Sequence, residues 1–348
     1  MTRTRMLFGT AALFLLTACP LPQELREVPP PAVNADLLVS VAQLQRRLTE
    51  PGTVVLHVGR DRASYDAGHI PGARFLALSS IVTERDGLPV ELPSVDVLDA
   101  AFEAVGVSDD SRVVVYGDLG GLAAARAFFT LDYLGKPPAV LNGGLEAWRA
   151  AGRPVETAAA TASRGSFTPR PNASLVVDAD WVKGHLRDST VAFIDARPPE
   201  QFSGAEVVAG ITRPGHIPGA RNLFWQNTIV SQANPELRSP EVLRALFRLA
   251  GARFASDVPR IRERPRYTPE DTTNAGRRAR REAERNRQQQ RNQPRQQAQP
   301  NTVVVYCQGG VQASWDYFVA RYLGYQVKLY DGSFIDWSRR GADYPVER

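Results

Sequence analysis

Cysteine is almost absent: the 348 residues hold Cys19 and Cys307 and no other. A framework of internal disulfides is therefore excluded, and so is any zinc site of the four-cysteine kind. Long apolar runs are missing too. The longest, Leu7 to Leu16, is too short to span a bilayer as a helix. Preceded by Arg3 and Arg5, it reads as the h-region of a secretory leader over residues 1–18. Small residues lead into Cys19 in the sequence Leu16-Thr17-Ala18-Cys19, a pattern resembling the bacterial lipobox, in which the cysteine is lipidated. Lipidation would leave Cys307 as the one free thiol of an exported, membrane-anchored chain. Such an address also makes nucleic acid an unsuitable partner.

What is present is an ordinary globular composition, 43% hydrophobic and 23% charged, long enough for two domains. Residues 19–36, with Pro29-Pro30-Pro31, read as a tether. Beyond them the chain repeats itself. Gly68-His69-Ile70-Pro71-Gly72-Ala73-Arg74 returns letter for letter as Gly215 to Arg221, and Val113-Val114-Val115-Tyr116 returns as Val303-Val304-Val305-Tyr306. Apolar strands alternate with helical patterns in both copies. The expectation is a tandem α/β protein, residues 37–156 and 172–348 joined by a linker at 157–171, each half a mainly parallel sheet flanked by helices. The second copy carries an insertion at about 252–300 with 13 Arg against 6 Asp and Glu, a net of +7 on a chain whose total is +5. From Gly276 to Pro300 it has almost no apolar residues and reads as disordered. It is also a candidate contact for anionic surfaces, or a source of arginines steering anions towards the site.

The chemistry centres on Tyr306-Cys307-Gln308-Gly309-Gly310-Val311-Gln312-Ala313. A strand ends in a cysteine, a glycine-bearing loop follows, and a helix begins. Loop amides and the positive helix end can converge on the sulfur, which should favour thiolate. Where the second copy has Cys307 the first has Gly117, with Asp118 beside it, and where the second has Asp195 the first has His57. The first copy is thus expected to be catalytically silent. His69 and His216 occur in both copies and are assigned a structural role.

The Cys-x-x-Gly-Val-x-Ala loop resembles the active-site loop of the rhodanese superfamily. This resemblance implies a sulfurtransferase. Cys307 would take the outer sulfur of thiosulfate or 3-mercaptopyruvate as a persulfide held by N–H groups from Gln308 through Ala313. A thiol or cyanide would then remove it, with no cofactor or metal. Arg197, Arg221 and Trp315 are candidates for donor binding, since the loop itself lacks any cation. Phosphatases of the same fold use Cys-x5-Arg, and Ala313 stands at the sixth position here, which argues against that chemistry. The rival is a non-enzymatic, lipid-anchored binding or sulfur-carrier module.

Overall fold

A computed structural model describes residues 32–254, 285 and 301–348. The leader, Cys19 and all but the edges of the 252–300 insertion (Arg285 apart) lie outside the described residues. In the first half the elements run β1 (Leu38–Val39), α1 (Val41–Arg47), β2 (Thr53–Gly59), α2 (Ala63–Asp66), β3 (Arg74–Ala77), a hairpin of β4 (Thr83–Arg85) and β5 (Leu88–Glu91), α3 (Val95–Ala104), β6 (Arg112–Gly117), α4 (Leu122–Tyr133), β7 (Ala139–Leu141) and α5 (Gly144–Ala150). The second half runs β8 (Val176–Val177), α6 (Ala179–Gly184), β9 (Val191–Asp195), α7 (Pro199–Ser203), β10 (Arg221–Asn222), α8 (Pro240–Leu249), β11 (Thr302–Tyr306), α9 (Val311–Leu323), β12 (Val327–Tyr330) and α10 (Ser333–Arg339).

Each half forms a five-stranded parallel sheet, ordered β1-β7-β6-β2-β3 in the first and β8-β12-β11-β9-β10 in the second. Helices cover both faces, so the strands are continuous apolar runs, as a doubly covered parallel sheet requires. Alternation along the central strands divides their side chains. Val303, Val305 and Cys307 join a core that continues from one half into the other, while Val304 and Tyr306 face the outer layer with Trp337. In the first half, Val114 and Tyr116 face a corresponding outer layer with Trp148.

Helices α4 and α9 pack on each other at the centre. Phe128 meets Phe318 and Phe129 meets Tyr317, each pair with ring centroids 5.0 Å apart. Counted from the glycine before each helix, Phe128 matches Tyr317 and Phe129 matches Phe318, so each contact is the other rotated by a twofold operation. The halves are related as subunits of a symmetric dimer would be. Each such aromatic pair contributes about 0.5–1.5 kcal/mol beyond its buried area.

The repeated heptapeptide fastens each half to its own tail. His69 exchanges backbone hydrogen bonds with Glu156, and His216 does the same with Glu347. Gly72 and Gly219 donate to the carboxylates of those same glutamates. Both histidines are buried and stacked, His69 on Tyr65 at 3.7 Å and His216 on Phe202 at 3.8 Å. Their place in both halves is structural.

The edges of the insertion meet. Arg253 N–H donates to Asn301 Oδ1 and Asn301 Nδ2 donates to the Gly251 carbonyl, both at 2.8 Å. These roots sit at the start of β11, whereas Cys307 follows its end. At about 3.3 Å per residue the six steps from Asn301 to Cys307 keep them roughly 20 Å apart.

Candidate active site

Cys307 leaves β11 where parallel strands of this kind commonly present a ligand crevice. The loop that follows is fixed to the start of α10. Cys307 N–H donates to Ser333 Oγ at 3.2 Å, Phe334 N–H to the Cys307 carbonyl at 3.0 Å, and Ile335 N–H to the Gln308 carbonyl at 2.9 Å. Gly310 has φ +93°, which turns its N–H back onto Cys307 Sγ at 3.1 Å and starts α9 at once with Val311, two residues before the sequence pattern suggests. The N–H groups of Gly309 and Ala313 reach the sulfur as well.

The expectation of a favoured thiolate needs correction. Cys307 is only 2% exposed, and burial pushes its thiol above the usual range. The backbone donors of Ala313, Gly309 and Gly310 pull it down, and Asp195 adds a further push upward. Desolvation outweighs the loop amides in this state. Gln308 Nε2 donates to the Ala209 carbonyl at 3.1 Å. Ala209 belongs to a stretch peculiar to the second half. Phe202 precedes His216 by fourteen positions, where the matching Tyr65 precedes His69 by four. Arg339 ties this stretch to the first half, donating to the carbonyls of Gly210 and, at 2.8 Å, of Gly87 in the β4–β5 turn.

Of the three donor-binding candidates, Arg197 is near the sulfur but internally paired, and Arg221 and Trp315 are turned to other contacts. Arg197 is buried, with Nε and Nη2 bonded to the Asp195 carboxylate and Nη2 also to the Gly215 carbonyl, while the Phe334 ring covers its guanidinium at 4.1 Å. Its charge is felt near the sulfur, but the group is occupied as an internal counter-ion and is not presented to a donor. Arg221 is exposed beside Gly251, whose other neighbour is Ala192 near the start of β9. That points it away from the loop. Trp315 donates through Nε1 to Thr228 Oγ1 at 2.7 Å and lies edge-on to Trp225. Its ring touches the position of a Gly121 side chain, and Trp225 that of Gly120. Both tryptophans therefore close on the glycine loop of the first half. Of the remaining loop residues, Val311 and Gln312 are half-buried and Ala313 is fully buried.

The register confirms the correspondence between halves: Tyr306 pairs with Asp195 as Tyr116 pairs with His57, placing Gly117 where Cys307 stands. A Cβ at Gly117 would lie 2.1 Å from the Val58 carbonyl oxygen. The first half therefore lacks the space for a side chain there as well as the thiol. His57 Nε2 lies 3.2 Å from both Asp118 Oδ1 and Ser64 Oγ, on the wall of a cavity of about 470 Å³ that also includes Arg60, Glu146 and Arg149. Burial lowers the His57 pKa, against the pull of Asp118. Aspartate and serine share one nitrogen, so this is no charge-relay arrangement.

Sequence reasoning missed Arg126. This side chain of α4 is fully buried and forms a two-pronged pair with Asp331, Nη1 to Oδ1 at 2.5 Å and Nη2 to Oδ2 at 3.1 Å, beside the cysteine loop of the other half. The signal was an arginine in an alanine-rich helix, at the position where α9 has Trp315.

Two α/β halves around a pseudo-twofold axis, one ending its central strand in a cysteine cradled by backbone N–H groups, define a tandem cysteine-loop protein. The rhodanese-like domain model matches residues 40–151 and 178–340, and the chain belongs to that family. It is 30% identical over 322 residues to the sulfur carrier protein TtuD of Thermus thermophilus, covering 87% of this chain and 94% of that one. It is 29% identical over 313 residues to a thiosulfate sulfurtransferase of Azotobacter vinelandii, covering 89% and 97%. The fold is similar to that of the 3-mercaptopyruvate sulfotransferase SseA of Escherichia coli, with TM-score 0.64, 23% identity and coverage of 85% and 98%.

Proposed function

We propose that this protein is a sulfurtransferase in which Cys307 alone carries the transferred sulfur, with thiosulfate or 3-mercaptopyruvate as donor. The observation that carries the reading is the geometry at Cys307, with Gly310 N–H on the sulfur and no room for a side chain at Gly117. The Cys307 thiolate attacks the outer sulfur of the donor. With thiosulfate the S–S bond breaks and sulfite leaves with the electron pair. With 3-mercaptopyruvate the C–S bond breaks, and the carbon keeps the pair and is protonated to pyruvate. Either route leaves Cys307–S–S⁻. Cyanide or a thiolate then attacks the outer sulfur and regenerates the Cys307 thiolate. The N–H groups of Gly309, Gly310 and Ala313 offset the desolvation of the anion at each stage, without a metal.

Incubation with each donor separately, followed by peptide-resolved mass measurement, tests this. One added sulfur on the Cys307 peptide, absent in Cys307→Ser and discharged by cyanide or a thiol, is the expected result. No adduct from either donor, with Cys307 still open to alkylation, rejects both donors.

A sulfur carrier is the second reading, supported by the name of the Thermus thermophilus relative and by the burial of the thiol. A Cys307 persulfide that resists cyanide yet passes to a protein thiol favours it. The reading includes export and anchoring through lipid on Cys19, tested by incorporation of labelled fatty acid and its loss in Cys19→Ser. In this reading the arginine-rich insertion, whose arginines lie outside the described residues apart from Arg253 and Arg285, is offered to anionic surfaces.

A further inference from the structure

The cysteine loop is braced from two sides, and one brace belongs to the half without a cysteine. Arg126 Nη2 donates to the Val90 carbonyl at 2.8 Å, and its two-pronged grip on Asp331 leaves Asp331 Oδ2 able to accept the Leu92 N–H at 2.9 Å. Asp331 follows β12 and lies against Gly310. A Cβ on Gly310 would be 2.9 Å from Asp331 Oδ1 and 3.3 Å from Arg126 Nη1. Gly310 in turn is the residue whose N–H reaches Cys307 Sγ. Contact thus passes from Val90 and Leu92 to Arg126 and Asp331, then to Gly310 and the sulfur.

The pseudo-twofold axis supplies an internal control. Asn142 stands in the first half where Asp331 stands in the second, and it likewise accepts a backbone N–H from the opposite half, that of Leu237 at 2.8 Å. At the Arg126 position the second half has Trp315, which packs against Gly121. Holding the halves together is therefore accomplished without charge on the side that has no thiol. The charged version occurs on the side that has one. It also leaves Arg126 Nε buried with no partner, a cost that tryptophan at the matching position avoids. Buried ion pairs are poor sources of net stability but good at fixing one geometry.

We propose that Arg126 is a positioning residue for Cys307. By clamping Asp331 against Gly310 it keeps the loop N–H groups aimed at the sulfur, so thiol reactivity in one half depends on docking of the other. The inference rests on Cys307 being the reactive group. The groups facing that sulfur or its brace are Asp195 and Arg197 at and just after the end of β9, Asp331 after β12, Glu91 on β5 and Arg126 itself, with Asp316 on α9 feeling the charge of Asp195.

The test is the pH dependence of Cys307 alkylation by iodoacetamide, read on its own peptide in the full chain. Wild type is compared with Arg126→Lys, Arg126→Leu and Asp331→Asn. Lysine keeps the charge but loses the fork, and Asp331→Asn keeps the shape and the Leu92 acceptor. Both Arg126 variants should move the alkylation midpoint up by about half a unit to one unit, slowing reaction at neutral pH roughly 3- to 10-fold through the thiolate fraction. Asp331→Asn removes an anion and would by charge alone lower the midpoint, so a rise there reports the lost grip on Gly310. A brace that served stability alone would lower the melting temperature and leave the midpoint in place. Folded Arg126→Lys with a wild-type midpoint overturns the proposal, and if both Arg126 variants fail to fold, a folded Asp331→Asn with a midpoint at or below the wild-type value overturns it. Alkylation needs no donor. A shifted midpoint with no persulfide in wild type therefore leaves the positioning role standing while the sulfur-transfer reading fails.

Discussion

Supplying the missing cysteine to the first half should not create a second site. In the double variant Gly117→Cys, Cys307→Ser the new Cβ would start 2.1 Å from the Val58 carbonyl oxygen and 2.9 Å from its carbon. Ordinary contact begins near 3.4 Å, so β2 and β6 must part by more than an ångström at their ends. Val58 pairs with Gly117 in register, and its carbonyl accepts the Asp118 N–H at 2.9 Å, so that bond is lost with the movement. Overpacking of this kind costs about 1–3 kcal/mol, and a lost backbone hydrogen bond adds about 1 kcal/mol. A destabilisation of roughly 2–4 kcal/mol in denaturant unfolding is expected relative to Cys307→Ser alone. The introduced thiol would also stand beside Asp118, whose charge opposes an anion. No sulfur adduct should form on its peptide with thiosulfate or 3-mercaptopyruvate. Adduct formation at a rate near that of Cys307, in a variant of unchanged stability, would refute the steric argument and the view that one half alone can react.

Two carboxyls should show in the pH dependence of stability. Burial first, then Asp331, push Glu91 up to about 7 from 4.5. The folded state therefore keeps a proton that the unfolded chain has released, and stability falls as pH rises from about 4.5 to 7. Glu91→Gln, neutral throughout, should gain about 1 kcal/mol on wild type at pH 8 and little at pH 4.5, after discounting for partial exposure. An identical difference at both pH values in denaturant unfolding counts against this account. Asp316 is fully buried with neither carboxyl oxygen partnered, and burial pushes it far above the usual carboxylate range. It stays protonated in the fold, so wild-type stability declines as pH climbs above the ordinary aspartate value. Asp316→Asn should remove that decline and gain about 1–3 kcal/mol at pH 8; a loss of stability there would mean the carboxylate is ionised and paired.

Repetition made the architecture legible. Two copies of one heptapeptide and of one apolar strand placed two like halves on the chain, and the strand-cysteine-glycine order placed the reactive loop. What could not be read was anything set by contact across the halves. Arg126 meets Asp331 over 205 positions of sequence, and although an arginine in an alanine-rich helix stands out, nothing local names its partner. Trp315 attracted notice because the first half has no tryptophan there, but the informative member of that mismatch was the arginine opposite it. Arg197 looked like an anion ligand because Asp195, two residues before it, gave no sign of sharing its burial. The thiol pKa departs from expectation for the same reason: loop amides are visible in a sequence, whereas the burial of the sulfur is not.

The structure also gives a reason for a half without the cysteine to accompany the half that carries it. Leu92 and Val90 enter the second half beside Asp331, and Leu237 enters the first beside Asn142. Arg321 and Tyr317 of α9 both bond Asp132 of α4, with Arg321 and Asp132 at matching positions of the two helices. A symmetric dimer would place like residues at these two positions, facing each other across the axis; a duplicated chain can make one acidic and the other basic. The same freedom puts arginine at 126 and tryptophan at 315. Symmetry would have forced either a charged clamp on both loops or on neither. Fusion allows the clamp where the sulfur is and an aromatic plug where it is not, so the first half is better understood as the fixed wall of one site than as the remnant of another.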